Sequence, residues 1–187
     1  MQRKYSTIIL LQIALFVTCF VFFGFQTDKG IVLWSANRKL TFEDFKGKIS
    51  SDDRYVVINQ KKEGEVDAGR SRIAISLNFQ CNNGKANHKI TTEFEQFNSW
   101  IVPEYRNEQS LNHEQGHFDI AEIFARKLKK EIAGMSNQCD HDKVAELYSK
   151  IDSEHVEFNR QYDIETSHSC NKLKQKEWDL KLQSLLK

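Results

Sequence analysis

"KITTEFEQFNSWIVPEYRNEQSLNHEQGHFDIAEIFARKL", residues 89–128, changes its hydrophobic period part-way along. Residues 89–102 read as a strand. From Ser110 onward the apolar positions recur at helical spacing, with Ser110 an expected N-cap and Gly134 an expected C-cap after Ile132. Working backwards, "RSRIAISLNFQC" (70–81) places Ile73, Ile75, Leu77, Phe79 and Cys81 on one side, which is the period of a half-buried strand, and "NNG" (82–84) is a hairpin turn between it and the strand that follows. An earlier strand at "YVVIN" (55–59) is expected to join them, with Trp34, Leu40, Phe42 and Phe45 packed beneath the sheet. Working forwards, a second helix is expected from about Asp142 to Tyr162, with Val144, Leu147, Ile151, His155 and Phe158 inward. After a break at "DIETSHSC", a last helix carries Leu173, Trp178, Leu182 and Leu185. Strands followed by helices specify an α+β domain, with an antiparallel-containing sheet in the first half packed on three helices.

The first helix carries an anomaly on its buried side. At about 100° per residue from His113, Phe124 lies at roughly 20°, His117 at roughly 40°, Leu128 at roughly 60° and Glu114 at roughly 100°. Two histidines therefore share the stripe that faces the core. Burying them unpaired is costly, so something must satisfy them. Histidines at i and i+4 can each aim one imidazole nitrogen at a common point, and Zn²⁺ accepts neutral imidazole at about 2.0 to 2.1 Å. This is the H-E-x-x-H pattern, His113-Glu114-Gln115-Gly116-His117, with Glu114 placed beside the metal to receive a proton from water. The plainer reading is a pair of core histidines bonded to carbonyls. Gly116 near the edge of the stripe suggests a close approach from the sheet or a simple packing contact.

The chain of 187 residues fits one domain, 26–187, preceded by a basic start at Arg3 and Lys4 and an apolar run from Thr7 to Phe25. That segment reads as a signal peptide or an N-terminal membrane anchor, and either sends the domain out of the cytoplasm, secreted or in the periplasm or cell envelope, with a possible tether through residues 7–25. Without Arg3 and Lys4 the exported part holds 25 basic against 26 acidic residues, a formal charge of −1, so nucleic acid is not an expected partner. Cys81, Cys139 and Cys170 allow one disulfide and leave one thiol over.

"LTFEDFKG" (40–47), "SW" (99–100), "HEQGHFDIAEIFAR" (113–126) and "YDIETSHS" (162–169), followed by Gln175 and Trp178, occur in an order that resembles a bacterial family of secreted zinc peptidases, domain-of-unknown-function family 922 in the zincin group. The resemblance covers residues 34–178 and implies a zincin-like fold and proteolysis. A catalytic zinc usually has three protein ligands and an open position. Glu146, Glu154, Glu165 and His168 compete for the third place. His168 is favoured, because "YDIETSHS" resembles the family's Tyr-Asp-x-x-Thr-x-His-Gly stretch. Ser169 stands where that pattern has glycine, which permits positive φ more readily than serine does. Asp163, Glu165 and Thr166 are candidates for orienting the ligand imidazoles, or are turn residues. Tyr162 is a candidate hydrogen-bond donor to an oxyanion, or a core aromatic.

Other features read as structural. In "CDHD" (139–142), Asp140 or Asp142 caps the second helix, His88 is a surface residue and His155 a packing residue, and Lys127, Lys129 and Lys130 lie on the outer side of the first helix. The expectation is an exported zinc metallopeptidase acting on protein or peptide through a zinc-activated water, with His113, His117 and His168 as ligands and Glu114 as general base. Its rivals are a zinc hydrolase of a cell-wall amide and a non-catalytic surface domain with a structural metal.

Overall fold

The computed structural model describes residues 30–49 and 69–187, so the apolar run 7–25 and the expected strand 55–59 lie outside the described residues. Five strands and three long helices follow one another: β1 (Ile31–Leu33), β2 (Gly69–Arg70), β3 (Ile73–Asn82), β4 (Lys85–Glu95), β5 (Trp100–Ile101), α1 (Glu108–Ala133), α2 (His141–Thr166) and α3 (Lys172–Leu185). The architecture is α+β, as the change of period requires. β1, β4 and β3 form an antiparallel sheet in that order, and β2 pairs antiparallel with β5. Asn83 and Gly84, both at positive φ, make the two-residue turn of the β3–β4 hairpin. Register places Ile73 opposite Phe94 and Ile75 opposite Thr92, so the face bearing Phe94 and Ile75 turns to α1.

Two apolar clusters meet along α1. Phe118 joins Val32, Leu40, Phe45, Phe94 and Ile101, with Trp34 and Phe42 packed against them, which is the placement expected of the 34–47 segment. Further along, Ile120, Phe124, Leu128 and Ile132 bury against Ile75, Val144, Ile151, Tyr162, Trp178 and Leu182. The disulfide Cys81–Cys139 fastens the end of β3 to the connection between α1 and α2, and Cys170 is a free, exposed thiol. Among the described residues, no helix is long and apolar enough to cross a membrane.

Two boundaries depart from expectation. α1 begins earlier than Ser110: Asn107 is the N-cap, its Oδ1 accepting from the Ser110 amide at 3.0 Å, while the Ser110 hydroxyl answers from the third helical position. α2 continues past Tyr162 to Thr166, so Asp163 stands in its last turn and not in a loop. α3 holds the core through Gln175, Trp178 and Leu182, while Leu173 and Leu185 on the same helix are exposed. Asp140 caps α2, with its Oδ1 accepting from the Lys143 amide.

Candidate metal centre

The long, core-anchored α1 fixes His113 and His117 one turn apart, with His113 buried and the two rings 4.8 Å apart and nearly perpendicular. α2 crosses them with Asp163. Asp163 Oδ1 lies 3.2 Å from His113 Nε2 and 3.0 Å from His117 Nε2, and one ligand atom from each of the three residues falls within 4.8 Å of the others.

The surrounding amides decide which imidazole nitrogens carry protons. His113 Nδ1 faces Gln175 Oε1 at 3.1 Å, and the Gln175 amide nitrogen donates to the Tyr162 hydroxyl and to Asp179 Oδ1. His117 Nδ1 faces Asn159 Oδ1 at 2.8 Å, and the Asn159 amide nitrogen donates to the carbonyl of His155. A carboxylate and a carbonyl can only accept, so both amides must present their oxygens to the histidines, and both Nδ1 atoms are donors. A neutral ring at either position would turn an Nε2 lone pair toward Asp163 Oδ1, a buried oxygen with no hydrogen-bond donor. Three lone pairs converge on one point. Such a donor set, two imidazoles and one carboxylate, fits a divalent transition metal.

A proton is the weaker substitute for that cation. Burial disfavours charge on His117, but the Asp163 carboxylate 3.0 Å from its Nε2, helped by Glu114, outweighs it and raises its pKa to about 9. For Asp163, burial pushes the pKa up, yet the two histidines hold it well below the usual carboxylate range.

Glu114 is buried beside this point, its Oε2 accepting from the Ser71 hydroxyl at 2.5 Å. A side chain at Gly69 would lie 2.9 Å from Glu114 Oε1 and 3.1 Å from the Trp100 carbonyl, so the absence of one lets β2 run close over the carboxylate. His113, Glu114, His117 and Asp163 line a cavity of about 260 Å³ that also reaches His155, Asn159 and His168. His168 stands at its mouth, with its Nδ1 3.9 Å from Asp163 Oδ1. Ser167, His168 and Ser169 all have positive φ, so Ser169 does occupy the left-handed conformation that favours glycine. The segment is tied down by the His168 amide bonded to the Asp163 carbonyl, and by the Gln109 amide donating to Ser169 O.

The close approach to Gly116 comes from Tyr162 of α2 and not from the sheet. A Cβ there would meet the Tyr162 hydroxyl at 2.2 Å. That hydroxyl donates to the His113 carbonyl and accepts from Gln175, and the ring stacks on His113 at 4.7 Å, so Tyr162 supports the ligand histidine from the core. Burial raises its pKa further. Gly116→Ala gains about 1 kcal/mol of helix propensity, but it must displace Tyr162 and break two buried hydrogen bonds. A net loss of about 2 to 4 kcal/mol is expected in thermal or denaturant unfolding. An alanine variant as stable as the parent would refute this account of the glycine.

Of the remaining candidates, Glu146 is exposed on α2. Glu154 pairs with Lys127, and Glu165 accepts from Gln161 and from the Trp178 indole. Thr166 does face a ligand ring, its Oγ1 lying 3.5 Å from His113 Nδ1 while its hydroxyl donates to the Tyr162 carbonyl at 2.6 Å. Sequence reasoning left Asn159 and Ser71 unnoticed, for neither an amide nor a hydroxyl disturbs a hydrophobic period. Asp163 was expected to orient imidazoles or to be a turn residue. Its oxygen instead lies on their Nε2 side, and the Nδ1 sides meet Asn159, Gln175 and Thr166.

A family model described as a bacterial protein of unknown function (DUF922) matches residues 75–169. The chain belongs to this family. The DUF922 match runs from β3 to the left-handed segment after α2 and takes in His113, Glu114, His117, Asp163 and His168. It ends before Gln175, so the amide that orients His113 lies beyond the matched stretch. No curated protein and no solved structure matches the chain.

Proposed function

We propose that this DUF922 chain is an exported zinc-dependent metallopeptidase. The observation that carries the reading is the convergence of two oriented Nε2 lone pairs and an unpartnered carboxylate oxygen on one point, with a second carboxylate, Glu114, beside it. His113, His117 and Asp163 would hold the metal, and His168 at the mouth is the alternative third ligand, its Nδ1 3.9 Å from the same Asp163 oxygen. When bound, zinc lowers the pKa of water and polarises a scissile carbonyl. Glu114 receives the water's proton on Oε1 and passes it to the leaving amine, while the Ser71 hydroxyl holds Oε2. Gln175 and Asn159 keep both ligand rings in one tautomer. The basic residues and apolar run at the start of the chain support export, with a protein or peptide as the substrate.

Metal analysis of purified protein is expected to give about one zinc per chain. Casein hydrolysis should disappear on chelation and return with zinc. Hydrolysis of cell-wall fragments with casein untouched would change the substrate class. A zinc-loaded protein that cleaves neither would leave only a structural metal.

A further inference from the structure

The domain covers one side of α3 and leaves the other to solvent. Gln175, Trp178 and Leu182 hold the helix to the core, and on the opposite side Leu173 and Leu180 stand 77% and 62% exposed. Seven residues apart, these leucines fall within about 20° of each other and form one stripe along the helix. Lys172 and Lys176 flank the stripe on one side, Lys174 and Lys181 on the other. Residues 172–187 hold five lysines against two acids, although the exported part as a whole has a formal charge of −1. Both acids are engaged: Glu177 pairs with Lys174 at 2.7 Å, and Asp179 accepts from Asn112 and Gln175. Exposed leucines in line, framed by lysines, are the composition of a helix that lies in a lipid interface.

The fold sets this face beside the point where the chain enters the domain. Arg126 of α1 donates to the Leu186 carbonyl at the end of α3 at 2.6 Å, and its guanidinium carbon lies 5.1 Å from the centre of the Trp34 ring. Trp34 follows the apolar run so closely that the extended chain between them spans no more than about 30 Å, against about 21 Å for the whole of α3. A chain that keeps residues 7–25 in a bilayer therefore holds α3 within reach of the headgroups. We propose that the outer face of α3 docks on an anionic phospholipid surface, with Leu173 and Leu180 entering the acyl boundary and the lysines meeting headgroup phosphates. His168 and Ser169, which line the metal cleft, stand just before Lys172, so docking opens the mouth of the cleft at the membrane. Docking itself needs neither metal nor hydrolysis.

The test uses the full chain with Cys19→Ser, so that a polarity-sensitive fluorophore attaches at Cys170, the exposed thiol just ahead of α3. In vesicles of phosphatidylcholine mixed with phosphatidylglycerol, its emission should shift to the blue and be quenched by brominated acyl chains. In phosphatidylcholine alone the fluorophore should stay in water. Quenching in the anionic vesicles should exceed that in the neutral ones by about fivefold or more, and the ratio should fall toward one as salt is raised. Leu173→Ser with Leu180→Ser, and separately Lys172→Gln with Lys176→Gln, should each bring the ratio near one. Neither pair should move the melting temperature, since all four side chains are exposed. Equal quenching in the two vesicles, a ratio that either pair leaves intact, unfolding of both pairs, or a chain that associates with neither vesicle would each overturn lipid docking. A signal that follows protein concentration instead of lipid composition would overturn it too, and would assign the face to a second copy of the chain.

Discussion

Asp163→Ala is expected to reduce zinc from about one per chain to near zero, as are His113→Ala and His117→Ala. Among the described residues its carboxylate is the one negative charge against both Nε2 atoms, and it would supply the third donor atom. Groups that merely orient a ligand typically change metal affinity about 10- to 100-fold. Loss of Asp163 should exceed that, and Asn159→Ala or Gln175→Ala should fall within it. His168→Ala separates the two possible third ligands. With its ring 40% exposed at the cleft mouth, it should retain stoichiometric zinc. If His168→Ala alone releases the metal while Asp163→Ala keeps it, the loop histidine is the ligand and the carboxylate an orienting group.

The same site predicts a proton balance. Metal-free, His117 titrates near 9 in the folded chain against 6.5 for the unperturbed side chain, so the folded state holds this proton more tightly than the unfolded one. Its contribution to stability is complete below the unfolded value and is lost as pH rises through about 9. A metal needs the same Nε2 lone pair. Binding between pH 7 and 8 should therefore release close to one proton from His117, measurable by calorimetry in buffers of different ionisation enthalpy.

The parts of the site that follow hydrophobic period were legible in the sequence, and the parts that follow polar complementarity were not. α1 declares itself because Ile120, Phe124 and Leu128 repeat on the side that holds His113 and His117. Asp163 was hidden by the boundary assigned to α2. "DIETSHSC" is polar and looks like a break, yet Thr166 is fully buried one turn beyond Tyr162, and that burial carries the helix onward until three left-handed residues stop it. Ser-His-Ser advertises such a stop only weakly, since of the three only histidine is a residue type enriched at positive φ. Gly116 was legible as a close approach but not as an approach by Tyr162, because the crossing of α1 and α2 is set by packing between residues as far apart as His113 and Tyr162, 49 positions along the chain. Asn159 and Gln175 lie among many exposed polar residues, and only folding distinguishes the amides that meet a histidine from those that meet water.

Glu114→Gln is expected to leave fold and metal in place and remove most of the hydrolysis. The substitution preserves size, and the environment accepts an amide. The glutamine oxygen can take over the Ser71 hydroxyl bond, while its NH₂ faces the space that Gly69 leaves open. Glu114 is outside the three-residue ligand group, so zinc content should match the parent's. What disappears is the basic oxygen that accepts the water's proton, and loss of a positioned general base typically lowers the rate about 10²- to 10⁴-fold. The loss should fall on kcat with KM little changed, since the base acts in the transition state and does not bind the ground state. Ser71→Ala, which frees Glu114 Oε2 without removing the carboxylate, should cost less, on the order of tenfold. A peptidase assay at neutral pH with matched zinc loading measures both. Undiminished activity in Glu114→Gln would reject Glu114 as the base. Parallel loss of zinc and of the folded state would make its role that of a buried structural carboxylate tying α1 to β2.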